Sequence, residues 1–173
     1  MLPVSCILKS TVQVRRFVPS DMEDVLAIEQ ESFREDAWER KVFEGYYHRW
    51  RELFLVAKRG RRIAGYMISC GGARDAELAS IAVRAKDRRA GVGRALVEFT
   101  MAQLTKQRTK SWWLMVEVDN AAAIRFYESY GFARTKRIRR YYGAGRDAWR
   151  MRFRLEIKRS GPQQKSNKQS QPK

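Results

Sequence analysis

Apolar positions along the chain follow two spacings, and the change from one to the other marks the predicted elements. Short apolar runs predict strands at 11–17, on both sides of a Lys-Arg-Gly-Arg turn within 53–69, and at 77–83, 111–118, 132–142 and 147–155. Helical spacing predicts helices from Pro19, over 38–50, from the loop at 88–94 to about 106, and over 121–130. This order predicts an α/β domain with a mixed, mostly antiparallel sheet of about seven strands and helices on both faces.

The two ends of the chain differ in composition from this region. Residues 158–173 contain no large apolar residue and are rich in Gln, Ser, Lys and Pro, which predicts a disordered basic tail. Residues 1–11 have a short apolar patch without a basic leader or a long apolar segment, so we interpret them as a flexible leader. The folded domain is therefore predicted to span 12–157, and no apolar run is long enough to cross a membrane.

The charge of the chain indicates its kind of partner, and its few histidines and cysteines narrow the chemistry. Lys and Arg number 36 and Asp and Glu 19, which gives a net charge of +17. This balance favours nucleic acid, the ribosome or a phosphorylated cofactor, although a charge excess that serves only solubility is the alternative. His48 is the only histidine and there are two cysteines, which leaves no HExxH motif and no Cys/His zinc cluster, so no metal is expected. Two distant cysteines, Cys6 and Cys70, are typical of reduced thiols in the cytoplasm.

The stretch RRAGVGRALVEF (88–99) joins a predicted strand to a predicted helix. Gly91 and Gly93 lie at the first helical turn, where backbone N–H groups are unpaired and the helix dipole is positive. Glycine allows an anion to approach these groups closely, and the surrounding arginines add charge. The stretch therefore predicts a phosphate site. A glycine-loosened helix start with solvated arginines is the alternative.

Known phosphate-binding motifs differ in how well they match the stretch 88–99. A P-loop requires GxxxxGK[ST], which is absent, and a dinucleotide fingerprint requires a third glycine where this chain has Leu96. The spacing Arg88-x-x-Gly91-x-Gly93 resembles the acyl-CoA pyrophosphate loop of the GCN5-related N-acetyltransferase superfamily. The segments LMVEVDNAAAIRFYESYGF (114–132) and RRYYGAGRDAWRM (139–151) also resemble motifs of this superfamily. The second motif, with IEQESF (28–33), resembles the protein N-terminal acetyltransferases, especially the bacterial ribosomal-protein-alanine type.

The resemblance covers about 12–155 and implies a GNAT fold with acetyl-CoA lying between two splayed strands. It implies backbone contacts from Ile81, Ala82 and Val83 to the pantetheine arm, and a ligand contact from Asn120, which the sequence independently predicts as a helix N-cap. It implies Tyr127 as the general acid, and Phe33, Tyr141 and Tyr142 around the entering peptide. The implied pyrophosphate loop consists of Arg88, Arg89, Ala90, Gly91, Val92, Gly93 and Arg94.

The chain departs from the resemblance at the general base. The ribosomal-protein type has a glutamate where this chain has Met115, which cannot accept a proton. Strand alternation places Glu117 on the same face as Met115, about 7 Å further along, so Glu117 is the predicted base through a water molecule. A solvated glutamate near a strand end is the alternative for Glu117, and Glu77 on the preceding strand is a further candidate.

These features predict an acetyl-CoA-dependent enzyme that acetylates a protein N-terminus, with alanine or serine of a ribosomal protein as the expected substrate. The basic surface and tail are expected to contact ribosomal RNA weakly. One alternative is an acetyltransferase of small amines or lysine side chains. Another is a non-catalytic basic module that binds the ribosome or nucleic acid, in which Met115 reflects a lost activity.

Overall fold

The computed structural model of the chain describes residues 12–156. The predicted leader (1–11) and tail (158–173) lie outside the described residues, so the domain boundaries stay predictions. The strands are β1 (Val12–Arg16), β2 (Phe54–Arg59), β3 (Arg62–Gly71), β4 (Asp75–Val83), β5 (Ser111–Glu117), β6 (Ala133–Ile138) and β7 (Ala148–Arg154). The helices are α1 (Met22–Phe33), α2 (Arg40–Trp50), α3 (Val92–Lys106) and α4 (Ala121–Glu128).

The strands form one seven-stranded sheet in the order β1-β2-β3-β4-β5-β7-β6. Neighbouring strands are antiparallel except β4 and β5, which run parallel. The predicted mixed, mostly antiparallel sheet of about seven strands is therefore confirmed. Parallel neighbours require a crossover connection, and α3 supplies it between β4 and β5.

Two apolar cores lie on opposite faces of the sheet, which confirms the prediction of helices on both faces. On one face, α3 and α4 contribute Val92, Leu96 and Ile124 to a core with Trp112 and Leu114. On the other, α1 and α2 pack on Phe54, Val56, Tyr66 and Ile68. The three residues that the sequence places on one face of α1 (Met22, Val25 and Ile28) are all buried there.

β4 and β5 separate after a short paired segment. Their pairing covers Asp75 to Leu78 of β4 and Ser111 to Leu114 of β5, while β4 continues to Val83. The register between β3 and β4 shifts at the same point, because Ile68 pairs with Ser80 whereas Ser69 pairs with Leu78. Ala79 is thus the extra residue of a β-bulge, and a bulge bends its strand. The bend coincides with the opening of the sheet between β4 and β5.

Several predicted boundaries are wrong by a few residues. α2 begins at Arg40 rather than at residue 38, and α4 ends at Glu128 rather than at residue 130. β6 ends at Ile138 instead of reaching residue 142, so Tyr141 and Tyr142 lie in the turn before β7. Positive φ angles at Arg140 (55°) and Gly143 (111°) end the extended backbone there. No helix in the region 12–156 has the length and apolar character needed to cross a membrane.

A buried carboxylate connects α1 to the sheet. Glu29 is 2% exposed and accepts hydrogen bonds from the Trp38 backbone N–H (2.8 Å) and from the Tyr66 hydroxyl. The Tyr66 and Ser80 hydroxyls are also within hydrogen-bond distance of each other, at 2.8 Å. Burial raises the pKa of Glu29 above its ordinary value. This network fixes the segment between α1 and α2 to the strands that hold the opening.

We expect the substitution Glu29→Ala to lower the free energy of unfolding by about 2–3 kcal/mol, because it removes the acceptor for two buried donors. Glu29→Gln keeps an acceptor for Trp38 and should lose less. Since folding raises the pKa of Glu29, its contribution to stability falls as pH rises through that pKa, and Gln should remove this component. Urea unfolding at several pH values measures both effects. The exposed Glu35→Ala is the control, and equal stability of Glu29→Ala and this control would contradict the assignment.

Candidate active site

A cleft of about 680 Å³ lies where β4 separates from β5. It is lined by every residue predicted to bind the cofactor except Asn120, and it also includes the predicted acid Tyr127. Its complete lining is Ile81, Ala82, Val83, Asp87, Arg88, Arg89, Ala90, Gly91, Val92, Gly93, Arg94, Ala123, Phe126 and Tyr127. The fold therefore brings together three segments that are separated along the chain.

The loop between β4 and α3, called the anion loop after its predicted ligand, forms one end of this cleft. Gly91 immediately precedes α3 with a φ of +83°, a conformation that side chains with a Cβ rarely adopt. The Ala95 N–H donates to the Gly91 carbonyl (2.9 Å), which leaves the N–H groups of Val92, Gly93 and Arg94 without a partner in the helix. A Cβ on Gly93 would lie 3.4 Å from the Phe126 ring, which is ordinary van der Waals contact, so Gly93 lies against α4 without being required there by packing.

The free edge of β4 forms the wall next to this loop. Ile81, Ala82 and Val83 pair with β3 on one side. On the other side their pairing with β5 has already ended at Leu78. Backbone groups on this edge are available to an extended ligand, which can add to the sheet as a short strand does.

A buried ion-pair network anchors the anion loop to the β2–β3 hairpin. Asp87 is fully buried and accepts hydrogen bonds from Arg62 (Nη2 to Oδ1, 2.8 Å) and from Arg59 (2.8 Å). Hydrogen bonding to Arg62 lowers the pKa of Asp87, although burial opposes this. Asp87 is not predicted from the sequence, because its neighbours along the chain do not distinguish it from any other aspartate in a loop.

Tyr127 lies on α4 and closes the α3/α4 face of the cleft. Its side chain is 7% exposed and packs against Phe126 and Phe132, with ring centroids 5.4 and 5.8 Å away. Burial raises the pKa of the Tyr127 hydroxyl well above its usual range, so this group stays protonated at neutral pH. Asn120 accepts a hydrogen bond from the Ala123 N–H (3.1 Å), which confirms it as the N-cap of α4. Its predicted ligand contact stays a prediction.

The opposite, α1/α2 face of the opening holds the predicted base and the predicted peptide contacts. Glu117 forms a bidentate ion pair with Arg146, whose Nε and Nη2 lie 2.8 and 3.3 Å from the two carboxylate oxygens. Arg146 also pairs with Asp36 at 2.8 Å. Both carboxylates raise the pKa of Arg146, so this cation links β5 to the α1–α2 connection. Both carboxylate oxygens of Glu117 are therefore engaged by the Arg146 guanidinium.

The predicted aromatic residues are brought together only in part. Tyr141 and Tyr142 make an edge-on contact with ring centroids 4.8 Å apart, and the Tyr142 hydroxyl donates to the Met115 carbonyl at 3.1 Å. Burial, chiefly, raises the pKa of Tyr142 to about 12. Phe33 is the last residue of α1 and is 38% exposed, without a ring contact to either tyrosine. The turn before β7 therefore covers β5 at Met115, whereas Phe33 is exposed at the end of α1.

A second carboxylate lies on this face, at the point where the strands separate. Glu77 pairs in register with Trp113, one residue before the last paired position. Its Oε2 lies 4.0 Å from the Cys70 Sγ, and it forms no ion pair with any residue of 12–156. Burial raises the pKa of Glu77, although the Arg150 cation opposes this. Burial also raises the pKa of the Cys70 thiol to about 11, which keeps this neighbour neutral.

A sheet that opens at a parallel strand pair, with an anion loop at the opening, defines the class of N-acetyltransferases. A model of the Acetyltransferase (GNAT) family matches residues 21–132. N-alpha-acetyltransferase 30 of Schizosaccharomyces pombe is 30% identical over 134 residues, which cover 75% of this chain and 89% of that protein. The [ribosomal protein bS18]-alanine N-acetyltransferase of Escherichia coli is 34% identical over 104 residues, 54% of this chain and 70% of that protein.

A solved structure gives the same result for the fold. The crystal structure of Ard1 from Thermoplasma volcanium superposes with a TM-score of 0.80 at 29% identity and covers 84% of this chain and 98% of that one. The chain therefore belongs to the GNAT acetyltransferase family, as its motifs predict, and it is an N-acetyltransferase. The predicted roles of individual residues remain predictions, to which the geometry above gives a physical basis.

We expect Asp87→Asn to weaken binding of coenzyme A at least tenfold. The substitution removes a charged partner from Arg59 and Arg62, and a hydrogen bond to a charged group contributes about 1.5–3 kcal/mol. The anion loop would lose its anchor while keeping Arg88 to Arg94, the residues predicted to bind the pyrophosphate. Isothermal titration with coenzyme A measures the effect, with the exposed Glu44→Gln as the matched control. Wild-type affinity in Asp87→Asn would show that the loop does not depend on this ion pair.

Proposed function

We propose that this protein transfers the acetyl group of acetyl-CoA to the free α-amino group of a protein N-terminus. The observation that carries the proposal is the cleft itself, which combines an anion loop, a free strand edge and a buried, protonated tyrosine. Its relatives include enzymes named for acetylation of N-terminal amino groups. A metal has no role in the proposed reaction.

The cofactor would lie along the cleft in an extended form. Its pyrophosphate would bind the free N–H groups at the start of α3 and the charges of Arg88, Arg89 and Arg94. Its pantetheine arm would pair with the edge of β4 at Ile81–Val83. This placement directs the thioester towards the separation point of the strands, close to Tyr127.

The substrate would enter from the α1/α2 face. The α1–α2 connection and the turn before β7 meet there through the Arg146–Asp36 ion pair, and they form the two sides of an entrance. Tyr141 and Tyr142 are 49% and 36% exposed in the turn before β7, and Phe33 is 38% exposed where α1 meets the α1–α2 connection. Exposed aromatic side chains provide contact area for a short peptide at a small loss of conformational entropy.

An α-amino group suits this site better than a lysine side chain. An amine must be neutral to attack a thioester, and an α-amino group has a pKa of about 8 whereas a lysine has about 10.4. Met115 occupies the position of the glutamate base that the resemblance implies. Methionine cannot accept a proton, so this position does not help to remove the proton of the substrate amine. The α-amine needs roughly 3 kcal/mol less than lysine to become neutral at the same pH.

We expect release of free coenzyme A when acetyl-CoA is mixed with short peptides that begin with Ala or Ser. Peptides that begin with Met or Thr define the first-residue preference. Tyr127→Phe should lower kcat by about 10²-fold or more, because the departing thiolate loses its proton donor. An N-terminally blocked peptide with an internal lysine, together with polyamines, separates the small-amine and lysine alternative. Turnover of those substrates alone, or no turnover at all, would contradict the proposal.

We also propose that the substrate is a ribosomal protein of the cytoplasm and that basic residues of this chain contact ribosomal RNA. The net charge is +17, and the edge strand β6 has three exposed basic residues, Arg134, Lys136 and Arg137, of which Arg134 and Arg137 also pair with Glu128 and Asp147. Clustered cations accelerate association with a polyanion in a salt-dependent manner. Five further basic residues follow in the sequence outside the described residues: Lys158, Arg159, Lys165, Lys168 and Lys173.

We expect removal of residues 158–173 to weaken association with purified ribosomes while kcat/KM for short peptides stays within twofold. The truncation removes five cations from the interaction with RNA but leaves the cleft intact. Co-sedimentation at several salt concentrations measures the association, and its salt dependence should become less steep. Equal co-sedimentation with and without the segment would contradict its role. Association without any peptide turnover would favour a non-catalytic binding module.

A further inference from the structure

We infer that one face of strand β7 binds acidic side chains of the substrate, in the segment that follows the acetylated residue. The residues that bind them are Arg150, Arg152 and Arg154, which share this face beside the opening between β4 and β5. The inference rests on the proposed function and names its substrate class, which is protein N-termini in which Asp or Glu residues follow the first residue.

Strand alternation places the three arginines on the α1/α2 side of the sheet. Met151 lies in the core under α3 and α4, so the arginines at alternate positions on β7 point to the opposite side. Arg150 pairs in register with Met115, whereas Arg154 pairs with the first residue of β5. The row of cations therefore begins at the opening and extends about 14 Å along the sheet.

This part of the sheet is not covered by the core under α1 and α2. That core takes its strand residues from β2, β3 and β4 and, over the region 12–156, includes none from β5, β6 or β7. Arg154 is exposed, and Arg150 and Arg152 are partly exposed. Residues 158–173 of the chain contain five basic and no acidic residues, so their charge does not suit this face. An acidic partner does.

The arginines of β7 have few partners of their own. Arg150 and Arg154 form no ion pair with any residue of 12–156. The Arg152 Nη2 lies 3.8 Å from the Asp75 Oδ1, and a long contact between two exposed side chains contributes little. The Arg150 Nε is buried without a hydrogen-bond acceptor in the described region, although buried donors nearly always have one. A ligand carboxylate supplies acceptors that this guanidinium lacks.

The spacing of the row matches that of an extended peptide. Alternate residues on a strand are about 7 Å apart, and an extended peptide presents its own alternate side chains at the same interval. The Tyr142 hydroxyl donates to the Met115 carbonyl at 3.1 Å, so the proposed peptide entrance adjoins the first arginine of the row. A guanidinium can hold a carboxylate through two parallel hydrogen bonds, which makes arginine well suited to acidic side chains.

RNA is the other polyanion that a row of arginines can bind, but the aromatic residues favour a peptide. Proteins that bind single-stranded RNA combine cations with exposed aromatic rings on which bases stack. Trp113, the aromatic residue of β5 on this face, is covered by the Arg150 guanidinium, 4.5 Å from the ring centroid. The exposed Phe and Tyr side chains of 12–156, which are Phe33, Tyr141 and Tyr142, belong to the proposed peptide entrance.

The test compares peptides that begin with Ala and continue with Glu, Gln or Lys residues. We expect kcat/KM for the Glu peptide to exceed that for the Gln peptide by about tenfold in low salt, since exposed ion pairs are individually weak but several act together. The preference should nearly disappear in 1 M salt, where charges are screened over about 3 Å. Acidic neighbours raise the pKa of an α-amine and reduce its neutral fraction, so amine reactivity alone favours the opposite order.

Variants of β7 separate local contacts from the general charge of the chain. Arg152→Gln/Arg154→Gln should raise KM for the Glu peptide about fivefold and leave kcat unchanged, because the lost contacts bind ground state and transition state alike. Arg61→Gln/Lys106→Gln removes the same charge from exposed positions in the β2–β3 turn and at the end of α3. This matched control should keep the wild-type preference.

A charge reversal and a position scan distinguish direct contact from a structural role. Arg152→Glu/Arg154→Glu should make the Lys peptide the better substrate, whereas a loss of structure would lower turnover of all three peptides alike. Arg150→Gln should weaken the advantage of an acidic residue close to the N-terminus. Arg154→Gln should weaken that of an acidic residue about four positions further on, because the two arginines are about 14 Å apart. Equal losses at every position would overturn direct contact.

The outcomes that overturn this specificity differ from those that overturn the proposed function. Equal kcat/KM for the Glu and Gln peptides, with normal turnover of both, overturns the acidic specificity alone. An unchanged peptide preference in Arg152→Gln/Arg154→Gln, together with weaker binding of a single-stranded RNA oligonucleotide, also overturns it and assigns the face to RNA. Absence of turnover by wild type with every free N-terminus overturns the proposed function and the specificity together.

Discussion

The separation of β4 from β5 is the constraint on which the rest of the site depends. The two strands pair over only four residues each, and the β-bulge at Ala79 turns β4 away from its neighbour. A continuous sheet would pair the edge at Ile81–Val83 with β5 and fill the cleft with backbone. The opening instead leaves one strand edge free and directs the end of β4 into the loop that begins α3.

Buried carboxylates maintain this opening from both faces. Asp87 attaches the anion loop to the β2–β3 hairpin, and Glu29 attaches the α1–α2 segment to Tyr66 of β3. Each is fully or almost fully buried, so each requires the partners it has, because an unpaired buried charge is strongly unfavourable. The pKa of Asp87 is lowered by two arginines, whereas the pKa of Glu29 is raised by burial next to neutral donors. The same functional group thus has its ionised form favoured in one place and its protonated form favoured in the other.

The parts of the site that depend only on residues within one helical turn could be predicted from the sequence. Glycine at a helix start, the N-cap Asn120 and the spacing of buried positions on α1 all depend on neighbours within one turn, and the structure confirms them. The networks around Asp87 and Glu29 could not be predicted in this way, since the side chains that bind these two carboxylates are 25 to 37 residues distant. Strand propensity also misplaced Tyr141 and Tyr142, because the positive φ of Arg140 ends β6 before two residues that favour strands.

The positions of the proposed acid and of the candidate bases explain why the proposed reaction requires the opening. Tyr127 belongs to the α3/α4 face, while Glu77 and Glu117 belong to the α1/α2 face. A closed sheet would separate a proton donor from a proton acceptor on opposite sides, and neither could reach the group held by the other. In the proposed reaction, a thioester placed between the separated strands β4 and β5 would present its sulfur to one face and its carbonyl carbon to the other. Transfer from cofactor to amine would then occur through the sheet, and the strand geometry would determine which face each substrate approaches.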